Sequence, residues 1–208
     1  MPMPLGSNTG PQLNSDGSAN VSARSDRLGS ILMVEGRGRY AENTRRGLRM
    51  HGANQAAVTT TVALATTYTG LCLYNPIGST VNLEIDKFGY SVVVAPAAAM
   101  AIGLMLGINT GTAISGVTAD GQYNAYANGP VGQGLIYKAA TLPTAPTLRQ
   151  LLGGVNAAAE TAQEVPVPLF DLEGSIILTP GSYLCAYTST ASGASGMLFS
   201  IGWTEVTP

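Results

Sequence analysis

The stretch AVTTTVALATTYTGLCLYNPIGSTVNLEIDKFGYSVVVAPAAAMAIGLMLGI, residues 57–108, decides the fold class. Thr, Val, Tyr and Ile dominate its first part, and such β-branched and aromatic side chains suit a pleated, half-buried surface. Turn chemistry cuts it at Asn75-Pro76-Ile77-Gly78 and again near Ala95-Pro96. Between these breaks the clearest period-2 alternation puts Val81, Leu83 and Ile85 on one face and Asn82, Glu84 and Asp86 on the other. Val58, Thr60, Val62 and Leu64 alternate more loosely, and Gly70–Tyr74 reads as a short strand. The uncharged run Val92–Ile108 has 17 residues, at the lower limit for a membrane span. Pro96, Gly103 and Gly107 interrupt it, so two buried strands joined by a turn describe it better and no membrane partner is expected.

Downstream, Asn109–Gly134 is rich in Gly, Asn, Thr and Ala and reads as long exposed loops. Loops on a rigid sandwich are where recognition residues sit, which makes Tyr123, Asn124 and Tyr126 the recognition candidates. Leu148, Leu151 and Leu152 have helical spacing closed by Gly153-Gly154, so one short helix is expected there. Three final strands follow at Gly174–Leu178, Ser182–Ser189 and Met197–Val206. Thr179-Pro180-Gly181-Ser182 has Pro and Gly where a type II turn needs them. Strands at roughly 8–12-residue spacing predict an all-β, jelly-roll-like antiparallel β-sandwich with an extended N-terminal arm and at most one short helix.

Upstream, residues 1–30 are Ser, Asn, Gly and Pro with almost no large apolar groups, too little to order the segment alone. Residues 31–51 open with an apolar Ile31–Val34 and continue into dense arginines. Glu42 and Arg46 have the i,i+4 spacing of a helix, but Gly36, Gly38 and Gly47 favour an irregular basic stretch. The expected division is an arm at 1–52 and a sandwich body at 53–208. MPMPLGSNTG shows neither the basic n-region nor the apolar h-region of a signal peptide, so synthesis in a reducing cytosol is expected.

Only 11% of the residues are charged, against about 25% in ordinary domains. A surface so short of charge is expected to be covered in an assembly. The first 51 residues hold seven arginines and four acids, net +3, while the rest holds three basic groups and eight acids, net −5. Such a basic front and acidic body complement each other between neighbouring subunits. Arg37, Arg39, Tyr40, Arg45, Arg46 and Arg49 are therefore the candidate protein interface. Nucleic acid is disfavoured by the pI of about 5.3 and by the single aromatic within the basic stretch.

No catalytic constellation is legible. His51 is the only histidine, and Cys72 and Cys185 have no partner at metal-ligand spacing. Both cysteines lie in apolar strand-like runs and read as free buried thiols. The pairs Glu84/Asp86 and Asp171/Glu173 could in principle serve glycoside hydrolysis, but polar-face carboxylates of this kind are more often solvated. The glycine-rich 36–39 and 129–134 lack the Lys-Ser/Thr ending of a phosphate loop. The reading is non-enzymatic, with no cofactor and no metal.

Gly38-Arg39-Tyr40, Arg46-Gly47, the run 53–60, Val62–Tyr68, Asn75-Pro76, Val81-Asn82-Leu83 and 101–105 occur in a characteristic order. Ala140–Pro143, 145–148, Asp171–Gly174, Pro180-Gly181 and Trp203–Val206 continue it. Together, over residues 36–207, they resemble a family of tailed-bacteriophage virion structural proteins of about this length. The resemblance implies a non-enzymatic virion component. The leading expectation is a capsid decoration or cement-type protein that assembles as a homo-oligomer, a trimer. It would attach to other virion proteins, such as the major capsid protein, through its N-terminal arm. The alternatives are a neck, tail or head-fibre component, or a carbohydrate-binding adhesion module on the virion.

Overall fold

The computed structural model describes residues 39–61, 64–108, 111–155 and 169–208, together with the backbone of four two-residue strands ahead of them. Those are β1 (Gln12–Leu13), β2 (Ala19–Asn20), β3 (Arg24–Ser25) and β4 (Ile31–Leu32). Next come α1 (Ala41–Arg45), β5 (Arg49–Ala53), β6 (Thr67–Tyr74), β7 (Asn82–Val92) and β8 (Met100–Ile108). β9 (Ser115–Ala119), β10 (Gln122–Asn124), β11 (Leu135–Thr141) and β12 (Thr147–Val155) follow. β13 (Leu169–Asp171), β14 (Ile177–Leu178), β15 (Ser182–Thr188) and β16 (Met197–Val206) complete the chain. Two compact units result, Met1–Ala41 and Glu42–Pro208. In the first, β1 pairs antiparallel with β2, and β3 with β4.

The second unit packs two antiparallel sheets as a sandwich. One runs β10-β5-β16-β7-β13 with β14 also on β7, and the other runs β12-β8-β15-β6-β11-β9. With β9–β11 set aside as an insertion, and β13 and β14 taken as one interrupted strand, eight strands remain. The first sheet then holds the first, eighth, third and sixth of them, and the other holds the second, seventh, fourth and fifth. That interleaving is the jelly-roll order. The insertion widens both sheets, since β11 extends the second sheet from β6 and β10 extends the first from β5.

Alternation fills the space between the sheets. β16 turns Met197, Phe199, Ile201 and Trp203 inward, and β7 contributes Leu83, Ile85, Phe88 and Tyr90. β6, β8 and β15 supply Leu71, Leu73, Ile102, Leu104 and Leu184. Each such side chain stabilises by about 1.5–3 kcal/mol through burial. A second apolar cluster lies on the other face of β6, β8 and β15, where Tyr68, Cys72, Tyr74, Met105, Tyr183 and Cys185 are covered by Ile114 and Leu142. Here rings lie across glycines: Tyr183 stands opposite Gly107, and a Cβ at Gly107 would overlap its ring. The Tyr183 hydroxyl donates to the Thr144 carbonyl, pinning the covering loop.

The turn at Thr179–Ser182 forms as its sequence predicts, with Ser182 N donating to Thr179 O at 3.0 Å and Gly181 at φ +86°. The apolar run Val92–Ile108 resolves into the end of β7, a turn and the interior strand β8. No helix among the described residues is long and apolar enough to cross a membrane.

Four expectations are corrected. Thr147–Val155 is the edge strand β12, not a helix, and two register shifts against β8 explain the misleading spacing. Each bulge adds a residue, so Leu148 and Leu151, three apart, both share the face of Met105 and Gly103. The helix that does form is α1, inside the arginine stretch. The region 109–134 is not all loop, because β9 and β10 form there at sheet edges; β9 is exposed along its length and β10 is three polar or aromatic residues, so neither carries apolar alternation. Among the described residues, 58–61 and 64–66 form no named strand: Val58 makes an isolated bridge to Met197, while Thr60 is tied through its side chain to Thr188 and Ser192, and Thr61 to Thr69. Finally, the compact body begins at Glu42, and β5 is one of its strands, so the expected boundary at residue 52 cuts through a sheet.

A candidate interaction surface on the outer face of the first sheet

The outward face of β5, β7 and β16 is organised by one bulge. Gly202 pairs with Lys87 and Trp203 with Ile85, which leaves Asp86 without an opposite residue. The extra residue keeps both Asp86 and Lys87 on the outer face. Asp86 Oδ2 accepts a hydrogen bond from Thr204 Oγ1 at 2.8 Å and lies 3.5 Å from Arg49 Nε. Both side chains of this ion pair are less than 10% exposed, at 6% and 9%. Burial raises the Asp86 carboxyl above the usual carboxylate range, outweighing the opposing pull of Thr204 and Arg49, and Asp171 raises it further. His51, next to this pair, is pushed the other way: burial and then the Arg49 charge lower its imidazole, while Asp86 acts against them.

Beside His51 a hollow of about 250 Å³ opens. Its floor is Ala53, Ser200 and Gly202, small residues on neighbouring strands, with His51 and Lys87 along one side. Tyr123 on β10 and Leu169 on β13 stand at its two ends, 59% and 60% exposed. Thus two edge strands supply the walls and two central strands the floor. A second hollow, of about 310 Å³, lies between Gln122 and Gly132, and Tyr123 lines it as well.

The half-buried Asn124 and the buried Glu205 shape the loop around the second hollow. Asn124 Nδ2 donates to Gly47 O at 2.8 Å and to Pro130 O at 2.9 Å, and its Oδ1 accepts from Tyr126 N at 2.8 Å. Glu205 collects the other end: its carboxylate accepts from Gln133 N at 2.8 Å, Gly134 N at 2.9 Å and Trp203 Nε1 at 3.3 Å. With its backbone held at both ends, the loop presents Tyr123 and Tyr126 to solvent.

Of the residues singled out in the sequence, Tyr123 and Tyr126 are exposed, while Asn124 shapes its own loop. Arg39 lies over the Tyr40 ring at 5.3 Å from its centroid, within the first unit. Arg45 ends α1 and Arg46 follows it, both exposed. Arg49 does meet a carboxylate, but that of its own chain. Arg37 lies outside the described residues. Sequence reasoning gave no surface role to Lys87, Leu169 or Thr204, which come together only through the register of β7, β13 and β16.

A third feature lies on the second sheet. Among the described residues β12 ends that sheet and pairs only with β8, and Leu148 and Leu151 on it are exposed, at 37% and 62%. Arg149 is its single charged residue. Among the described residues no group of three or more His, Cys, Asp and Glu could hold a metal ion. No family model, curated protein or solved structure matches the chain.

Proposed function

We propose that this chain is a non-enzymatic structural protein of a tailed-bacteriophage virion, a capsid decoration or cement-type subunit. It works as a homo-oligomer, a trimer, and its N-terminal arm attaches it to neighbouring subunits, the major capsid protein among them. The observation that carries this reading is the edge strand β12. Isolated proteins guard such edges with charge, proline or bulges. Here nine residues carry one charge and leave Leu148 and Leu151 in water. The two bulges guard the main-chain edge against a further strand, which leaves the exposed Leu148 and Leu151 side chains as the surface that a partner covers. The charge-poor surface and the order of motifs over residues 36–207 support the same reading.

Quantifying the chain against the major capsid protein in purified virions tests it. Decoration requires a copy number that scales with the capsid lattice. A handful of copies selects the neck, tail or head-fibre alternative, and absence from the particle overturns the virion reading altogether. Removing Met1–Ala41 is expected to leave a folded oligomer that no longer joins particles, and normal incorporation would sink the role given to the arm.

A second reading, a carbohydrate-binding adhesion module on the virion, is favoured by Tyr123 and Tyr126 standing exposed, with Tyr123 lining both hollows. It requires a glycan-array signal that disappears in the Tyr123→Ala, Tyr126→Ala double variant.

A further inference from the structure

Cys72 and Cys185 are far apart in sequence, but β6 and β15 set them directly opposite one another. Their position in the ladder follows from its hydrogen bonds. Asn75 N donates to Ser182 O at 2.9 Å, which marks Asn75/Ser182 as a bonded position. Bonded and non-bonded pairs alternate along an antiparallel ladder. Stepping inward, Tyr74/Tyr183 is non-bonded, Leu73/Leu184 bonded and Cys72/Cys185 non-bonded. At non-bonded pairs the Cα atoms approach to about 4.5 Å and the side chains are closest. That lies within the roughly 4.4–6.8 Å that a disulfide spans. The two thiols are free and buried in the same apolar cluster.

The ladder stops beside this pair. The Tyr68 hydroxyl reaches Leu71 O at 3.0 Å and Ala186 O at 2.8 Å, occupying the place of the next main-chain rung. Gly70, at φ +141°, lets the chain turn so that the Tyr68 ring folds over it. The cysteines therefore face each other where β6 and β15 part.

We propose that Cys72 and Cys185 are a covalent modification site, a dithiol that a low-molecular-weight disulfide oxidises to a cross-strand bond between β6 and β15. One protein thiolate attacks the reagent's disulfide, forming a mixed disulfide and expelling one small thiol. The second protein thiolate attacks the protein sulfur of that mixed disulfide and expels the other. The two protein thiols lose two protons and two electrons, and the reagent leaves as two thiols. Burial, and then contact with Cys72, raise the Cys185 thiol well above its usual range, so little thiolate is present in the closed fold. The exchange is slow in the native chain, faster when the end of the ladder opens, and opposed in a reducing cytosol. Once formed, the bond closes a loop of more than half the chain, which restrains the unfolded state. The site is independent of which particle or surface the protein serves.

The full chain is incubated with oxidised glutathione in sub-denaturing urea, quenched with N-ethylmaleimide in strong denaturant, and weighed intact. The expected product is a monomer that takes up no maleimide until reduced, with Cys72 joined to Cys185 in peptide maps. Its Tm is several degrees above that of the reduced chain and falls back on reduction. A Cys72→Ala variant should show no such shift under the same treatment. Wild-type chain that still takes two maleimides after prolonged exposure, or that ends as glutathione adducts or cross-linked dimers, overturns the proposal.

Discussion

Asp86 and His51 are neighbours whose protonation equilibria burial drives in opposite directions. Folded Asp86 holds its proton more tightly than the unfolded chain does, so its contribution to stability falls as pH rises through the ordinary carboxylate range, near about pH 4. Folded His51 holds its proton less tightly, so stability is lost as pH falls from the ordinary imidazole value, about 6.5, towards the lowered folded one. A His51→Gln variant is expected to flatten the dependence of Tm on pH between about 7.5 and 5, and an unchanged slope would remove His51 as its source. Arg49→Met leaves the buried Asp86 carboxylate without its cation. It should lower unfolding free energy by about 2–3 kcal/mol in urea titrations at neutral pH, with the m-value unchanged. Glu205→Ala removes the acceptor of the Gln133 N–H and orphans the buried Gly134 and Trp203 N–H groups, and is expected to lose about 2–3 kcal/mol in the same assay.

Elements reveal their roles through the way strands meet. β8 runs through the interior of its sheet, and Gly107 on it leaves room for the Tyr183 ring from β15. Gly107→Ala should therefore destabilise by about 1–3 kcal/mol, and adding Tyr183→Ala should recover part of the strain term in a double-mutant cycle. β12 is the opposite case, because Leu151 makes its contacts at an exposed edge. Leu151→Lys is expected to change monomer stability by no more than about 0.5 kcal/mol. It should nevertheless reduce self-association in sedimentation, if this edge is the covered surface. The same strand shows how a local pattern misleads. Apolar residues at i, i+3 and i+4 are read as a helix when taken alone, but a strand with a bulge after Leu148 and another after Leu151 produces the same spacing.

For the molecule as a whole, the jelly-roll order makes the first and last body strands, β5 and β16, neighbours in one sheet. Arg49 and Thr204 therefore reach Asp86 from opposite ends of the body's sequence. The single tryptophan, Trp203, is fully buried between the sheets and reports on this packing. Removal of Met1–Ala41 should leave its fluorescence emission as blue-shifted as in the full chain. A red shift would mean that the body depends on the arm for its core.

The β-branched composition, the alternation at Val81, Leu83 and Ile85 and the Pro-Gly turn at 180–181 were enough by themselves to determine an all-β sandwich. Strand period and turn conformation are set by residues adjacent along the chain, so they are written locally. The exposure of Tyr123 and Tyr126 was legible for the same reason, in a segment without apolar alternation. Only the tertiary structure decided that Cys72 faces Cys185, that Arg49 turns to Asp86 and that Tyr123 and Leu169 close the ends of one hollow. Each of these unites residues remote in sequence. Register and bulges choose their partners, and a shift of one residue in either strand would send every side chain to the other face.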